Sequence, residues 1–191
     1  MALPSRRHVL QSLVGASVLT SGCLGTDGGP ETETATATER SYSRETTSPE
    51  TQRVRNASEK PAVTSSDVSP LRGWTSEHWA VASTDGTDAL QFAEETTGTA
   101  DAIAFVEETD LSTYTVVVDQ YTVGGYSTRE IDRLRWQESD KGPDGGYSFR
   151  VDYEVVAREG DCQREDETHV EATFVRIPAP VEHIVGFASS W

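Results

Sequence analysis

The sequence predicts a mainly β (α+β) fold: an antiparallel β-sandwich-like domain with one short helix, after a disordered stalk. Residues 147–155 alternate apolar and polar side chains, which is typical of a strand with one buried face. The same period of two recurs over residues 169–174. All four tryptophans lie beyond residue 70, whereas residues 24–70 show almost no apolar periodicity. We therefore expect one β-rich globular domain at residues 71–191.

The centre of this domain predicts a hairpin. Residues 113–123 are rich in β-branched side chains and predict a long strand, and residues 126–137 predict a less regular one. The pair Gly124-Gly125 marks the turn between them, and residues 141–146 mark the turn that follows.

Shorter elements flank the hairpin. Residues 79–84 and 89–92 predict two short strands joined by a turn at Asp85-Gly86. A helix is expected over residues 99–108, with Thr99 as its N-cap. The apolar side chains from Ile184 onward predict either a short final strand or a cover over the sandwich, in a segment too short to span a membrane.

Residues 1–22 have the character of an export signal. Arg6 and Arg7 precede an apolar run at residues 9–19, which is shorter than the stretch of about 20 residues that spans a bilayer. Ser5-Arg6-Arg7-His8-Val9-Leu10-Gln11 resembles the twin-arginine signal, whose route exports folded proteins. A chance arginine pair in an ordinary secretory signal is the alternative.

A cysteine follows this signal. Thr20-Ser21-Gly22-Cys23 resembles a lipoprotein cleavage box, although Leu19 stands four residues before the cysteine and the usual box has leucine three before it. The resemblance implies that Cys23 becomes the mature N-terminus and carries lipid on its sulfur. The expected location is the extracellular face of the cell membrane, with a two-chain lipid for stable anchoring. A secreted protein with an unmodified Cys23 is the alternative.

The charge balance restricts the partners. The chain has 16 basic and 32 acidic residues, and removing residues 1–22 with Arg6 and Arg7 leaves a net charge of −18. Nucleic acid is excluded as a partner, because phosphate binding of that kind relies on clustered lysine and arginine. Lys60 and Lys141 are the only lysines, a composition that resembles secreted proteins of halophilic archaea. Molar salt screens surface acids, so we expect the domain to need high salt.

Residues 23–70 are expected to form a lipidated, disordered stalk rich in Thr, Ser and Glu. Such a segment does not bury enough apolar surface to offset its ordering entropy. Asn56-Ala57-Ser58 is an N-glycosylation sequon, and an exposed stalk makes Asn56 a candidate glycan site.

A family resemblance spans residues 80–180. Its motifs are the run at 105–110, the strand at 115–118, the turn Gly124-Gly125-Tyr126 and Val175-Arg176-Ile177-Pro178. They resemble lipoproteins of halophilic archaea that use the twin-arginine route. They are more remotely similar to the C-terminal domain of a protease-complex regulatory subunit. Related chains often have a cysteine near the first turn to pair with one matching Cys162, and this chain departs from that pattern.

The sequence offers no catalytic, cofactor or metal residues that stand out. His78, His169 and His183 lack metal-ligand spacing, and His169 is expected to face solvent. The acids Asp161, Glu165, Asp166 and Glu167 are interpreted as a solvated face. Cys162, among these acids, is interpreted as an inert thiol.

Two non-enzymatic hypotheses remain. The first is a surface or envelope module that binds an extracellular protein. The alternative is a protease regulator or inhibitor that acts through hairpin loops. Gly124, Gly125 and Tyr126 form the candidate interaction loop.

Overall fold

Strands dominate the protein. The structure, a computed structural model, describes residues 42–66, 76–141, 145–158 and 167–191. Of these residues 58% are in strands and 11% in helices, which confirms the predicted mainly β, sandwich-like fold. The strands are β1 (Arg44–Thr46), β2 (Thr51–Asn56), β3 (Val63–Ser65), β4 (Ser76–Val81), β5 (Leu90–Phe92), β6 (Thr96–Thr97), β7 (Thr115–Gly124), β8 (Ser127–Ser139), β9 (Gly146–Ala157), β10 (Thr168–Ile177) and β11 (Ile184–Ser190). The helices are α1 (Thr84–Asp88) and α2 (Thr99–Glu107).

Two main sheets carry the fold. Sheet A has the order β1-β8-β9-β11, and sheet B has the order β4-β7-β10-β2-β6. The pairings within them are antiparallel except for β11, which runs parallel to β9. Strands β3 and β5 pair with each other in a separate two-stranded sheet. The C-terminal apolar segment is thus a final strand, one of the two outcomes that the sequence left open.

Sheet B is covered on both faces. From β7, Val117 and Tyr121 join the apolar cluster shared with β8 and β9, while Val116 and Val118 join a second cluster with α2. Successive side chains of a strand point to opposite faces. The β-branched run of β7 is therefore explained by a strand that is buried on both sides.

The helix at residues 99–107 confirms the prediction, but its cap differs. Gly98 is the N-cap, with a φ of 80° and no side-chain hydrogen bond, and Thr99 lies inside the helix. The predicted turn at Asp85-Gly86 is instead part of α1, where the Ser83 side chain accepts a hydrogen bond from the Gly86 N–H. None of the helices in the described residues is long and apolar enough to cross a bilayer.

The predicted boundary at residue 71 is wrong. Arg40–Trp191 forms one compact unit, and β1, β2 and β3 lie within the segment expected to be a stalk. Strand β2 makes six residue pairs with β10, and Val54 and Val63 are buried in the cluster beneath α2. Residues 51–65 join the domain with few apolar side chains, because strand pairing and two hydrogen bonds to Gln120 hold them in place. The Gln120 side chain accepts hydrogen bonds from the N–H groups of Ala62 and Val63 at 2.8 and 3.0 Å.

The substitution Gly98→Ala tests the close approach of α2 to β2. A Cβ on Gly98 would lie 2.6 Å from the Arg53 carbonyl oxygen, at a positive φ that alanine disfavours. We expect the free energy of unfolding, measured by denaturant titration, to fall by roughly 2–4 kcal/mol. The matched variant Gly86→Ala, where the nearest atom is 3.5 Å away, is expected to change stability by less than about 1 kcal/mol. Equal losses in both variants would contradict this account.

Candidate functional site

A buried arginine organises one end of the sandwich. Arg55 lies on β2 directly opposite Glu171 on β10, so their side chains share a face. Its Nη1 donates to Glu171 Oε1 at 2.6 Å, and its Nε donates to His169 Nδ1 at 2.8 Å. Arg55 and Glu171 are 7% and 2% exposed, so the ion pair is almost fully removed from water.

The same guanidinium holds the turn between β7 and β8. Its Nη2 donates to the carbonyl oxygens of Gly124 and Gly125 at 2.9 and 3.1 Å, and its Nη1 also donates to Ser127 O at 2.9 Å. Arg55 thus uses all five of its N–H donors. Burial lowers the pKa of Arg55, and the neighbouring Glu171 carboxylate opposes that shift.

Glu171 connects the two sheets. The Thr128 hydroxyl, on β8 of sheet A, donates to this carboxylate and lies 2.9 and 2.8 Å from its two oxygens. Arg55, Glu171 and Thr128 therefore form a continuous polar contact from sheet B to sheet A. We name Arg55, His169, Glu171 and Thr128 the arginine cluster.

The arginine cluster corrects the prediction for His169, which is buried rather than solvent-facing. Because its Nδ1 accepts from Arg55, the neutral ring carries its proton on Nε2, which lies 3.6 Å from a Glu167 carboxylate oxygen. Burial and the Arg55 charge lower the pKa of His169. Sequence patterning missed this because His169 alternates with apolar side chains in a strand that is buried on both faces.

The predicted interaction loop lies in a two-residue turn whose backbone is hydrogen-bonded on both sides. Gly125 is buried and its N–H donates to Glu167 O at 2.8 Å, while Tyr126 O accepts from the Arg158 N–H at 2.9 Å. The Tyr126 side chain is 52% exposed. Of the three expected loop residues, Tyr126 is therefore the one that presents a large side chain to solvent.

A second polar group lies between the sheets. Asp119 on β7 is 2% exposed, and its Oδ2 accepts from the Tyr153 hydroxyl at 2.6 Å. Burial raises the pKa of Asp119 to about 7, against the opposing effects of the Tyr153 hydrogen bond and the Arg129 charge. The Arg129 guanidinium lies over the rings of Tyr121 and Trp191, at 4.5 and 4.0 Å from their centroids.

The structure corrects the candidate glycan site. Asn56 is 1% exposed at the end of β2 and does not lie on an exposed stalk. Its Nδ2, the atom to which a glycan would be attached, donates to Pro61 O at 3.3 Å, and its Oδ1 accepts from the Ser58 hydroxyl at 2.8 Å. The amide is buried and bonded within this local turn, so the expectation of an exposed stalk position at Asn56 is wrong.

Several predicted residues fall outside the described part of the chain. Arg6, Arg7, Cys23 and Cys162 all do, and so do the acids Asp161, Glu165 and Asp166. Of the histidines, His78 stacks on Phe187 with ring centroids 4.2 Å apart, and His183 is exposed. No group of three metal-ligating side chains occurs among the described residues.

Comparison of the chain with protein-family models, curated proteins and solved structures gave no match in any of the three.

The substitution Glu171→Gln tests the arginine cluster. It keeps an acceptor for Arg55 but leaves a buried cation without its counter-charge, so we expect a loss of about 3–5 kcal/mol in the free energy of unfolding. Glu138→Gln is the control, because Glu138 lies 3.9 Å from Arg44 with a side chain 73% exposed. Its loss should stay below about 1 kcal/mol. Comparable losses, measured by denaturant titration at one salt concentration, would contradict a stabilising role for the buried pair.

The pKa of Asp119 predicts a pH effect. A carboxyl whose folded pKa is about 7, above its unfolded value of 3.8, binds more protons in the folded state. The bound proton therefore stabilises the folded state below pH 4. This stabilisation, on the order of 4 kcal/mol at most, is lost as the pH rises toward 7. Asp119→Asn keeps an acceptor for Tyr153 and removes this titration.

The measurement is the unfolding free energy of both proteins between pH 4 and 8. His78 and His169 have lowered pKa values, His78 through burial and His169 through burial and Arg55, so their effect on stability has the opposite sign. They are present in both proteins and cancel in the difference. The advantage of Asp119→Asn over the wild type should grow with pH, and a constant difference would refute the assignment.

Proposed function

We propose that the chain is an exported, lipid-anchored protein whose β domain is a non-enzymatic binding module on the extracellular face of the membrane. Export and anchoring are supported by Arg6-Arg7 before a short apolar run and by Cys23 after it. The acidic, lysine-poor composition supports the proposal that the protein works at high salt concentration, where its surface acids are screened.

One observation carries the binding role. Tyr126 is exposed at the tip of a turn whose backbone is fixed by Arg55, by Glu167 and by Arg158. An aromatic side chain on a rigid support loses little conformational freedom on binding, and tyrosine is enriched among residues that dominate binding energy. The turn end, defined as Gly124, Gly125 and Tyr126, is the proposed contact surface.

The buried ionisable groups support a structural role over catalysis. Glu171 is held by Arg55 and Thr128, and Asp119 is held by Tyr153. Each carboxylate joins elements of the fold and lies between packed sheets. The alternative of a protease regulator uses the same turn end, so it predicts the same contact residue and a different partner.

The anchor is tested on the full-length protein from the cells that produce it. Mass spectrometry of the N-terminus should find a chain that begins at Cys23 and carries a two-chain lipid on its sulfur, and the protein should partition into detergent. The Cys23→Ser variant should partition into the aqueous phase. A native chain that still begins at residue 1, or an unmodified Cys23 in the aqueous phase, would refute the anchoring.

The turn end is tested by cross-linking on intact cells at their growth salt. We expect Tyr126→Ala to lose the cross-linked partner of the wild-type protein. Val155→Ala should retain the partner, because Val155 is also 52% exposed but lies on β9, paired with Arg129 of β8 and outside the turn itself. Identification of the partner as a protease whose activity the purified protein changes would select the regulator alternative. Identical cross-links for the wild type and both variants would refute the turn end as the contact surface.

A further inference from the structure

A cationic cavity lies beside the arginine cluster. It encloses about 200 Å³ and is lined by Arg53, Val54, Arg55, Thr97, Gly98, Thr128, Arg158 and Glu171. Three arginines and one glutamate give this lining a formal charge of +2, in a chain whose net charge is −16. We name it the arginine pocket.

Two of its arginines have no carboxylate partner among the described residues. The charge of Arg55 is matched by Glu171 at 2.6 Å, and the ion pairs of the described chain include neither Arg53 nor Arg158. Arg53 Nη2 donates to Arg129 O at 2.7 Å, but its Nε is buried and has no hydrogen-bond partner in the described part of the chain. Arg158 is exposed at the mouth; burial is the main cause of the lowered pKa values of Arg55 and His169, and the Arg158 charge adds a smaller lowering.

The start of α2 forms another wall. Gly98, its N-cap, packs so closely on β2 that a Cβ would lie 2.6 Å from the Arg53 carbonyl oxygen. The first hydrogen bond of the helix runs from the Ala102 N–H to Gly98 O, so the N–H groups before Ala102 have no acceptor within the helix. Asp101 in the first turn offsets part of the helix dipole, so the two arginines are the main source of attraction.

We propose that the arginine pocket is a binding site for a tetrahedral oxyanion, a phosphate or sulfate group, held by Arg53 and Arg158 beside the start of α2. The cationic donors come from two separate elements, β2 and the residue after β9, and Gly98 at the start of α2 completes the wall. A tetrahedral group has acceptor oxygens in several directions, whereas a carboxylate has two oxygens in one plane. The cavity volume of about 200 Å³ is several times the roughly 30 Å³ that one water occupies in the liquid, so a small group of several heavy atoms fits in it.

The floor of the pocket explains why an anion is tolerated near a carboxylate. Glu171 is neutralised by Arg55 and also accepts from Thr128, so both of its oxygens are already hydrogen-bonded. The exposed residues Thr97, Gly98 and Arg158 leave the mouth open to solvent. The bound group is therefore either a free anion or the terminal group of a larger molecule. The site does not depend on the anchoring or on the turn end.

The test is isothermal titration calorimetry on the full-length protein in detergent, at fixed ionic strength set by sodium chloride. The probes are inorganic phosphate, sulfate, acetate and glycerol phosphate. We expect saturable binding of phosphate or sulfate, and roughly tenfold weaker binding in Arg158→Gln, which removes an exposed side chain and does not disturb the core. Arg53→Gln should weaken binding similarly, and its melting temperature without phosphate checks that it folds. Arg133→Gln, an exposed arginine on β8, should bind as the wild type does.

The probes separate the two sources of the group. Tighter binding of glycerol phosphate indicates that the natural ligand is the terminal group of a larger molecule. Tighter binding of inorganic phosphate indicates a free anion. Either result supports the site. Three results would overturn it: no saturable binding, equal binding of acetate, or the same loss in Arg133→Gln as in Arg158→Gln.

Discussion

The fold depends on one buried cation. Arg55 stands on β2, and its five donors reach β10, the β7–β8 turn and the first residue of β8. Strands that are far apart in sequence are thereby fixed at one end of the sandwich in one register. A buried ion pair costs desolvation and contributes to stability mainly when its hydrogen bonds are complete. Here the five donors of Arg55 are all bonded, and these contacts match the register in which Arg55 lies opposite Glu171.

The interior between the sheets changes character along its length. One part is apolar, with Leu134, Trp136 and Phe149 packed together. The other part contains hydrogen-bonded polar groups, such as Asp119 with Tyr153. Salt screens exposed charges strongly and buried pairs much less. At high ionic strength the many surface acids therefore repel one another weakly, while Arg55 and Glu171 keep their attraction.

The sequence predicted the elements whose pattern is local. The period of two in β9 and the β-branched run of β7 identified their strands, and the apolar spacing around Ala102 identified α2. The arginine cluster depends on pairing between residues far apart, because Arg55 and Glu171 are separated by 116 positions. No local pattern specifies that register. The segment around β2 predicts a stalk because it has almost no apolar periodicity. Within β2 only Val54 is apolar, between Arg53 and Arg55, and one apolar residue does not identify a strand until the partner strand β10 is known.

The entry of the chain into the domain has a mechanical consequence. Strands β1 and β2 are neighbours in sequence but belong to different sheets, and β1 is held to β8 by only three residue pairs. Tension applied from the N-terminal side would load this short edge strand first. Its release would leave β2 clamped by six pairs with β10 and by the guanidinium of Arg55. A pull on the chain from that side would therefore release β1 and lengthen the segment before β2 ahead of any unfolding of the sandwich.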